Sequence, residues 1–363
     1  PTAYGIHQPW TNCGYTPAQV RSAYGAAASG MTGKGQSVAI VDAYASPSIL
    51  TDANEFSSTV GDQPFATGQF HQYLPSSFNS TDVCGAASWY PEETLDVESV
   101  HGQAPNASVN FVAGASCNDS DLLAAEAFIV DDHLASIVSS SFGEPSDLES
   151  ISSAYDQVFE VGATEGIGFF FSSGDSGYES PDEDPGVSDQ IQTDYPAASP
   201  WVTSVGGTSL AIGPAKNYEF ETSWGTMNDQ LAANGKSWST TPPGAYPADY
   251  DGSSGGGVST AYAQPSYQRG VVPKSLATHL PNGTVSATPM RAEPDVSALA
   301  DPSTGILVGE TTLQPDGTTY AFSLSRTGGT SVAAPTFAGI EADAQQAAGR
   351  DIGFANPAIY QRY

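Results

Sequence analysis

A chain of 363 residues is long enough for one large α/β domain or two ordinary ones and can bury a substantial core. Forty Asp and Glu against ten Lys and Arg give a formal charge of −30, which repels nucleic acid and anionic membranes at neutral pH. With every carboxyl protonated, the side-chain positive charge cannot exceed that of 10 Lys and Arg plus 5 His, so like-charge repulsion in acid is limited and the composition suits work in acid.

The sequence begins at Pro1 without an initiator Met and shows neither a charged-then-apolar leader nor an apolar run long enough to span a bilayer; it reads as a processed, soluble product. Apolar runs predict buried strands at "SVAIVD" (37–42), "ASVNFVA" (107–113), "ASIVSSS" (135–141) and "IGFFFSSG" (167–174). Helical periods follow at 120–132 and 148–166. This alternation predicts an α/β fold, a doubly wound parallel sheet with helices on both faces, whose ligands sit beyond the strand C-terminal ends. Those ends include "SSSFG" (139–143) and "SSGDSG" (172–177). From about 213 to 293 the chain is rich in Gly, Pro, Ser and Tyr, but interleaved aromatics such as Trp224 predict ordered loops and short strands rather than a linker. Helical character returns at 330–349, and residues 1–363 read as a single domain.

Of three cysteines, Cys84 and Cys117 are expected to pair, leaving Cys13 free or joined to something outside this chain. Four N-x-S/T sequons, at Asn79, Asn106, Asn118 and Asn282, are compatible with export.

Ser331, in "RTGGTSVAAP" (326–335), opens a small-residue helix with Thr330 as the expected N-cap and Pro335 close to the first turn. A nucleophile there has free backbone N–H groups and the helix dipole beside it, which favour an oxyanion. The G-T-S-x-x-x-P string resembles the nucleophile motif of the subtilisin-like clan, which would ask for an Asp on the first strand and a His on a following helix. Asp42 and His101 are the candidates, but His101 lies only three residues before Ala104, whereas the catalytic His of subtilisins lies well upstream of the matching Ala-Pro. The upstream helix instead carries "PEETLDVESV" (91–100), in which Glu92 and Asp96 are four apart on one face. Like charges so placed couple their titration and raise one pKa, so the pair can hold one proton and act as a general base in mild acid. Asp175 in "SSGDSG" stands where a subtilisin has its oxyanion Asn; ionised it would repel an oxyanion, protonated it can donate to one.

With these motifs in place, the chain resembles the sedolisins, serine-carboxyl peptidases of the kumamolisin and tripeptidyl-peptidase type. The similarity runs nearly end to end, through "YTPAQVRSAYG" (15–25), Glu92 to Asp96, "SSGDSG", "YPAASPWVTSVGGTSL" (195–210), "SGGGVS" (254–259), "PDVSALADPSTG" (294–305) and "GGTSVAAP" (328–335). The resemblance implies an acid-acting peptidase with Ser331 as nucleophile, Glu92 as general base, Asp96 as the carboxyl that orients and tunes it, and Asp175 as oxyanion donor. It also implies backbone pairing of an extended peptide along Ser141, Phe142 and Gly143 and at Gly256. The acidic stretch 178–185, with Glu179, Asp182 or Asp184, is expected to favour basic side chains in the substrate.

The family binds calcium through a C-terminal segment, and this chain ends at Tyr363 in a stretch that resembles what precedes it, so calcium is expected without ligands among these residues. A removed N-terminal prosegment and a separate C-terminal chain, itself a possible partner of Cys13, are the implied partners besides peptide or protein substrate. Secretion into an acidic environment is expected, with a lysosome-like compartment second. Two other readings stand beside this one: a neutral subtilisin-like peptidase using Asp42, His101 and Ser331, and an inactive secreted binding protein of the same fold. Endopeptidase and tripeptidyl-peptidase action are both open.

Overall fold

The computed structural model describes residues 13–144, 152–177, 192–229, 249–314 and 317–363, with residues 232, 234 and 237 and the backbone of strands Thr2–Ala3 and Ile6–His7. The acidic stretch expected to select basic side chains, with Glu179, Asp182 and Asp184, lies outside these residues.

Seven parallel strands form the central sheet: β1 (Ser37–Ala43), β2 (Phe70–Tyr73), β3 (Ser108–Gly114), β4 (Ile137–Ser140), β5 (Gly168–Ser172), β6 (Thr203–Ile212) and β7 (Val296–Leu299). Their spatial order is β7-β6-β5-β4-β1-β3-β2. Strand Tyr218–Ser223 adds antiparallel to the far end of β6. The chain runs from β1 to the β2 edge, returns through β3, and then builds outward on the other side of β1, so β1 and β4 flank the switch point where such sheets bind ligands.

Each inner strand is apolar on both faces because helices cover both. Val38 and Ile40 of β1, Ile137 of β4 and Phe170 of β5 pack with Val97, Val100, Ala333, Ala334 and Ala338. Their neighbours Ala39, Val41, Val138, Phe169 and Phe171 face the other way, onto Leu122, Ala125, Ile129, Tyr155 and Phe159. Side chains alternating along each strand therefore reach two cores. The first core holds the carboxyl helix (Ala86–Gln103) and the serine helix (Thr330–Ala348); the second holds helices Asp119–Asp131 and Ser152–Glu165.

The two helices of the first core bring the ends of the site together. Cys84 and Cys117 form the expected disulfide, tying the start of the carboxyl helix to the loop after β3, and Cys13 is exposed with a free thiol. At the far end of the sheet, Arg291 is fully buried and ion-paired with Asp295 at 2.8 Å, and it also donates to Ala198 O and Ala197 O. Among the described residues no helix is long and apolar enough to cross a membrane.

Candidate active site

The serine helix departs from expectation at its first turn. Gly329, not Thr330, is the N-cap, with φ of +103°. A Cβ there would come within 2.8 Å of Asp175 Oδ2, so glycine is needed both for the backbone conformation and for the close approach of the loop after β5. Thr330 is instead the first helical residue; its N–H and hydroxyl both donate to Asp175 Oδ1, at 2.7 and 2.8 Å. Pro335 also lies deeper than expected, inside the helix. Having no N–H, it leaves the carbonyl four residues back, that of Ser331, without its helical partner. The Ser141 hydroxyl lies 3.2 Å from that carbonyl oxygen and 3.0 Å from Asp96 Oδ1, so one proton serves two acceptors that join the serine helix to the carboxyl helix.

Ser331 and Glu92 are half-buried, and the Ser331 hydroxyl lies close enough to the Glu92 carboxyl to favour its ionised form. Burial nonetheless pushes Glu92 up to about 7, with a smaller push from Asp175. Asp96, one turn on, is fully buried. Burial raises it well above the usual carboxylate range, the Glu92 charge adds to this, and the Ser141 bond opposes it. Asp42, at the end of β1, is also fully buried, and neither of its oxygens has a partner among the described residues. Burial and then the charges of Asp96, Glu92, Glu93 and Glu126 push it upward too.

The structure thus brings Ser331, Glu92 and Asp96 together, adds Asp42 behind them, and places Asp175 on the other side of the serine turn. Asp175 is raised by the surrounding loops, lowered by its two bonds from Thr330, and keeps an exposed face. No hydrogen bond reaches Oδ2 from the described residues.

His101 is elsewhere. It is 2% exposed, stacks on Phe65 with ring centroids 3.8 Å apart, and its Nε2 is 2.7 Å from Gln63 O. Burial lowers its pKa. Among the described residues, neither Asp42 oxygen nor His101 Nδ1 has a hydrogen-bond partner, so the neutral triad of Asp42, His101 and Ser331 is not assembled.

Of the residues expected to line the peptide, Phe142 packs edge-on against Phe171, and Gly143 precedes Glu144, whose N–H and C=O pair with Tyr195 at 2.9 Å each. Gly256 lies in the wall of an adjacent cleft. Sequence reasoning missed Glu126, fully buried on helix Asp119–Asp131, whose Oε1 accepts from the Ser140 hydroxyl at 2.6 Å. Nothing in its own stretch marks it; the partner is on β4.

The match to the subtilase family of peptidases covers residues 33–358, and the chain belongs to that family. Kumamolisin from Bacillus sp. is 32% identical over 96% of this chain and 55% of its own length; sedolisin from Pseudomonas sp. is 29% identical over 96% and 53%. Human tripeptidyl-peptidase 1 is 31% identical over 61% of this chain and 33% of its own length. The chain spans about half the length of the first two relatives. A structure of Pseudomonas sedolisin, a serine-carboxyl proteinase, superposes with a TM-score of 0.72 at 26% identity, covering 98% of this chain and 86% of that one. Both comparisons support the sedolisin resemblance within the family.

Proposed function

We propose that this chain is the catalytic unit of an acid-acting serine-carboxyl peptidase. The observation that carries the reading is the Ser331 hydroxyl beside the carboxyl of Glu92, which is grouped with further buried carboxyls, while His101 is engaged elsewhere. Ser331 Oγ attacks the scissile carbonyl carbon as its proton passes to Glu92. Asp175 Oδ1 already accepts two hydrogen bonds, so its proton belongs on Oδ2, from which it donates to the oxyanion together with the Ser331 N–H. Glu92 then returns its proton to the leaving amine as the C–N bond breaks. In the second half Glu92 takes a proton from water, which attacks the acyl ester and releases Ser331.

Glu92 and Asp96 titrate as a coupled pair, active when they share one proton. Losing that proton, or losing the one on Asp175, ends activity on the alkaline side, and protonating both carboxyls ends it on the acid side, because Glu92 must be ionised to take the Ser331 proton. The disulfide and the excess of acid fit an oxidising, acidic compartment outside the cytosol. Peptides or proteins are the substrates, and a removed prosegment and a C-terminal chain are further partners. Calcium is the cofactor that the family resemblance implies; among the described residues no three His, Cys, Asp or Glu converge on a metal position.

The test is peptide hydrolysis across the pH range. Activity is expected below neutrality, with Glu92→Gln losing about 10²- to 10⁴-fold in kcat and His101→Ala keeping the acid profile. A neutral optimum that vanishes in His101→Ala would refute the reading.

A further inference from the structure

A cleft of about 620 Å³ opens beside the candidate site, with Glu221, Trp224, Ser223, Ser254, Gly256 and Ser297 in its lining. We propose that it is the subsite for the leaving half of the peptide, and that Glu221 makes it favour a cationic side chain; the proposal rests on the peptidase reading above. The sheet order gives the direction. Ser141 follows β4, Asp175 follows the neighbouring β5, and the cleft lies over β6 and β7 at Gly207, Thr208 and Ser297. A peptide whose acyl half runs along Ser141–Gly143 and reacts between Ser331 and Asp175 therefore delivers its other half towards the cleft.

The cleft is built onto the reaction centre. Its wall at Ser253 donates an N–H to Asp175 O at 2.8 Å and accepts one from Gly177 at 3.2 Å. Its floor is Trp224, 3% exposed and held between Gly207 and Gly252, where added Cβ atoms would come within 2.8 and 2.6 Å of the ring. Glu221 is oriented by neutral donors: its Oε1 accepts from the Tyr24 hydroxyl at 2.6 Å and the Thr208 hydroxyl at 2.7 Å, and the Tyr24 oxygen in turn accepts from Leu299 N–H at 2.8 Å. The other lining carboxyl, Glu293, interacts with buried Arg291, but among the described residues no Lys, Arg or His lines the cleft. A fixed carboxylate without a cation selects one from the ligand.

The experiment measures kcat/KM for peptides identical on the acyl side, with Lys, Ala or Glu at the first and second residues after the cleaved bond. Lys is expected to exceed Glu about tenfold at one of these positions, with the ratio shrinking as salt is raised. Glu221→Gln should bring the ratio below about threefold, and Tyr24→Phe, which removes one orienting bond, should lower it part of the way. A ratio near one at both positions in the unaltered protein overturns the proposal whatever the variants do, as does a ratio that survives in folded Glu221→Gln. If no peptide of the series is cut, the peptidase reading falls and the subsite with it.

Discussion

Ser141 shows how a single hydroxyl can serve a site without touching substrate through its side chain. It bridges Asp96 and the Ser331 carbonyl that Pro335 leaves open, so the nucleophile's backbone and the tuning carboxyl share one proton donor. The bond to Asp96 stabilises the ionised carboxylate and lowers its pKa. Ser141→Ala should therefore move the pH–rate profile upward, by up to about one pH unit, and lower kcat about tenfold, because a hydrogen bond to a charged group contributes about 1.5–3 kcal/mol. A profile that keeps its position, measured on folded protein, would confine Ser141 to packing. The sequence places this serine at a strand end but says nothing of its two partners, which are 45 and 190 residues away.

At the scale of elements, the serine turn and the loop after β5 are fitted to each other through Gly329. Gly329→Ala meets two costs, a left-handed backbone and a clash with Asp175, whereas Gly349→Ala, at the other end of the same helix, has positive φ and open space. Both should lose about 1 kcal/mol from backbone conformation, but only Gly329→Ala should also lose activity, by tenfold or more, as Asp175 is displaced. Paired thermal melts and rates decide this. The strands that were legible, β1, β3, β4 and β5, are those buried on both faces and so written as unbroken apolar runs. β6 escaped because it carries Gly206, where a side chain would collide with Pro294 and Ser254, and Gly207, where one would collide with Ala300 and Trp224; β7 is four residues long, and β2 is a polar edge. Glu92 and Asp96 were legible as a pair because a spacing of four puts both on one helix face, and Asp175 because it sits in a glycine-flanked turn at a strand end. Asp42 was legible only as a member of the wrong triad, since its neighbours are set by tertiary packing.

Across the whole molecule, acids are buried with few cations to meet them. Burial pushes Glu93 and Glu126 up to about 8, Glu341 to about 7 and Asp343 to about 6. In the unfolded chain these groups ionise near pH 4, so between about pH 4 and 8 the folded state holds more protons than the unfolded one. Stability must then be greatest in acid, decline as pH rises through that window, and level off above it. Glu126→Gln removes one ionisation; it should raise the melting temperature at pH 8 by about 5 °C while leaving that at pH 4 nearly unchanged, as scans at both values would reveal. Equal shifts at both would trace the effect to the lost shape of the site rather than to charge. The carboxyl oxygens of Asp42, Glu93, Asp96, Glu98 and Glu126 that find no partner among the described residues have a thermal corollary. Denaturing this protein in near-neutral solution discharges acid into its surroundings, so the heat absorbed depends on which buffer takes up the released protons, and each molecule that unfolds acidifies the medium in which the rest remain folded.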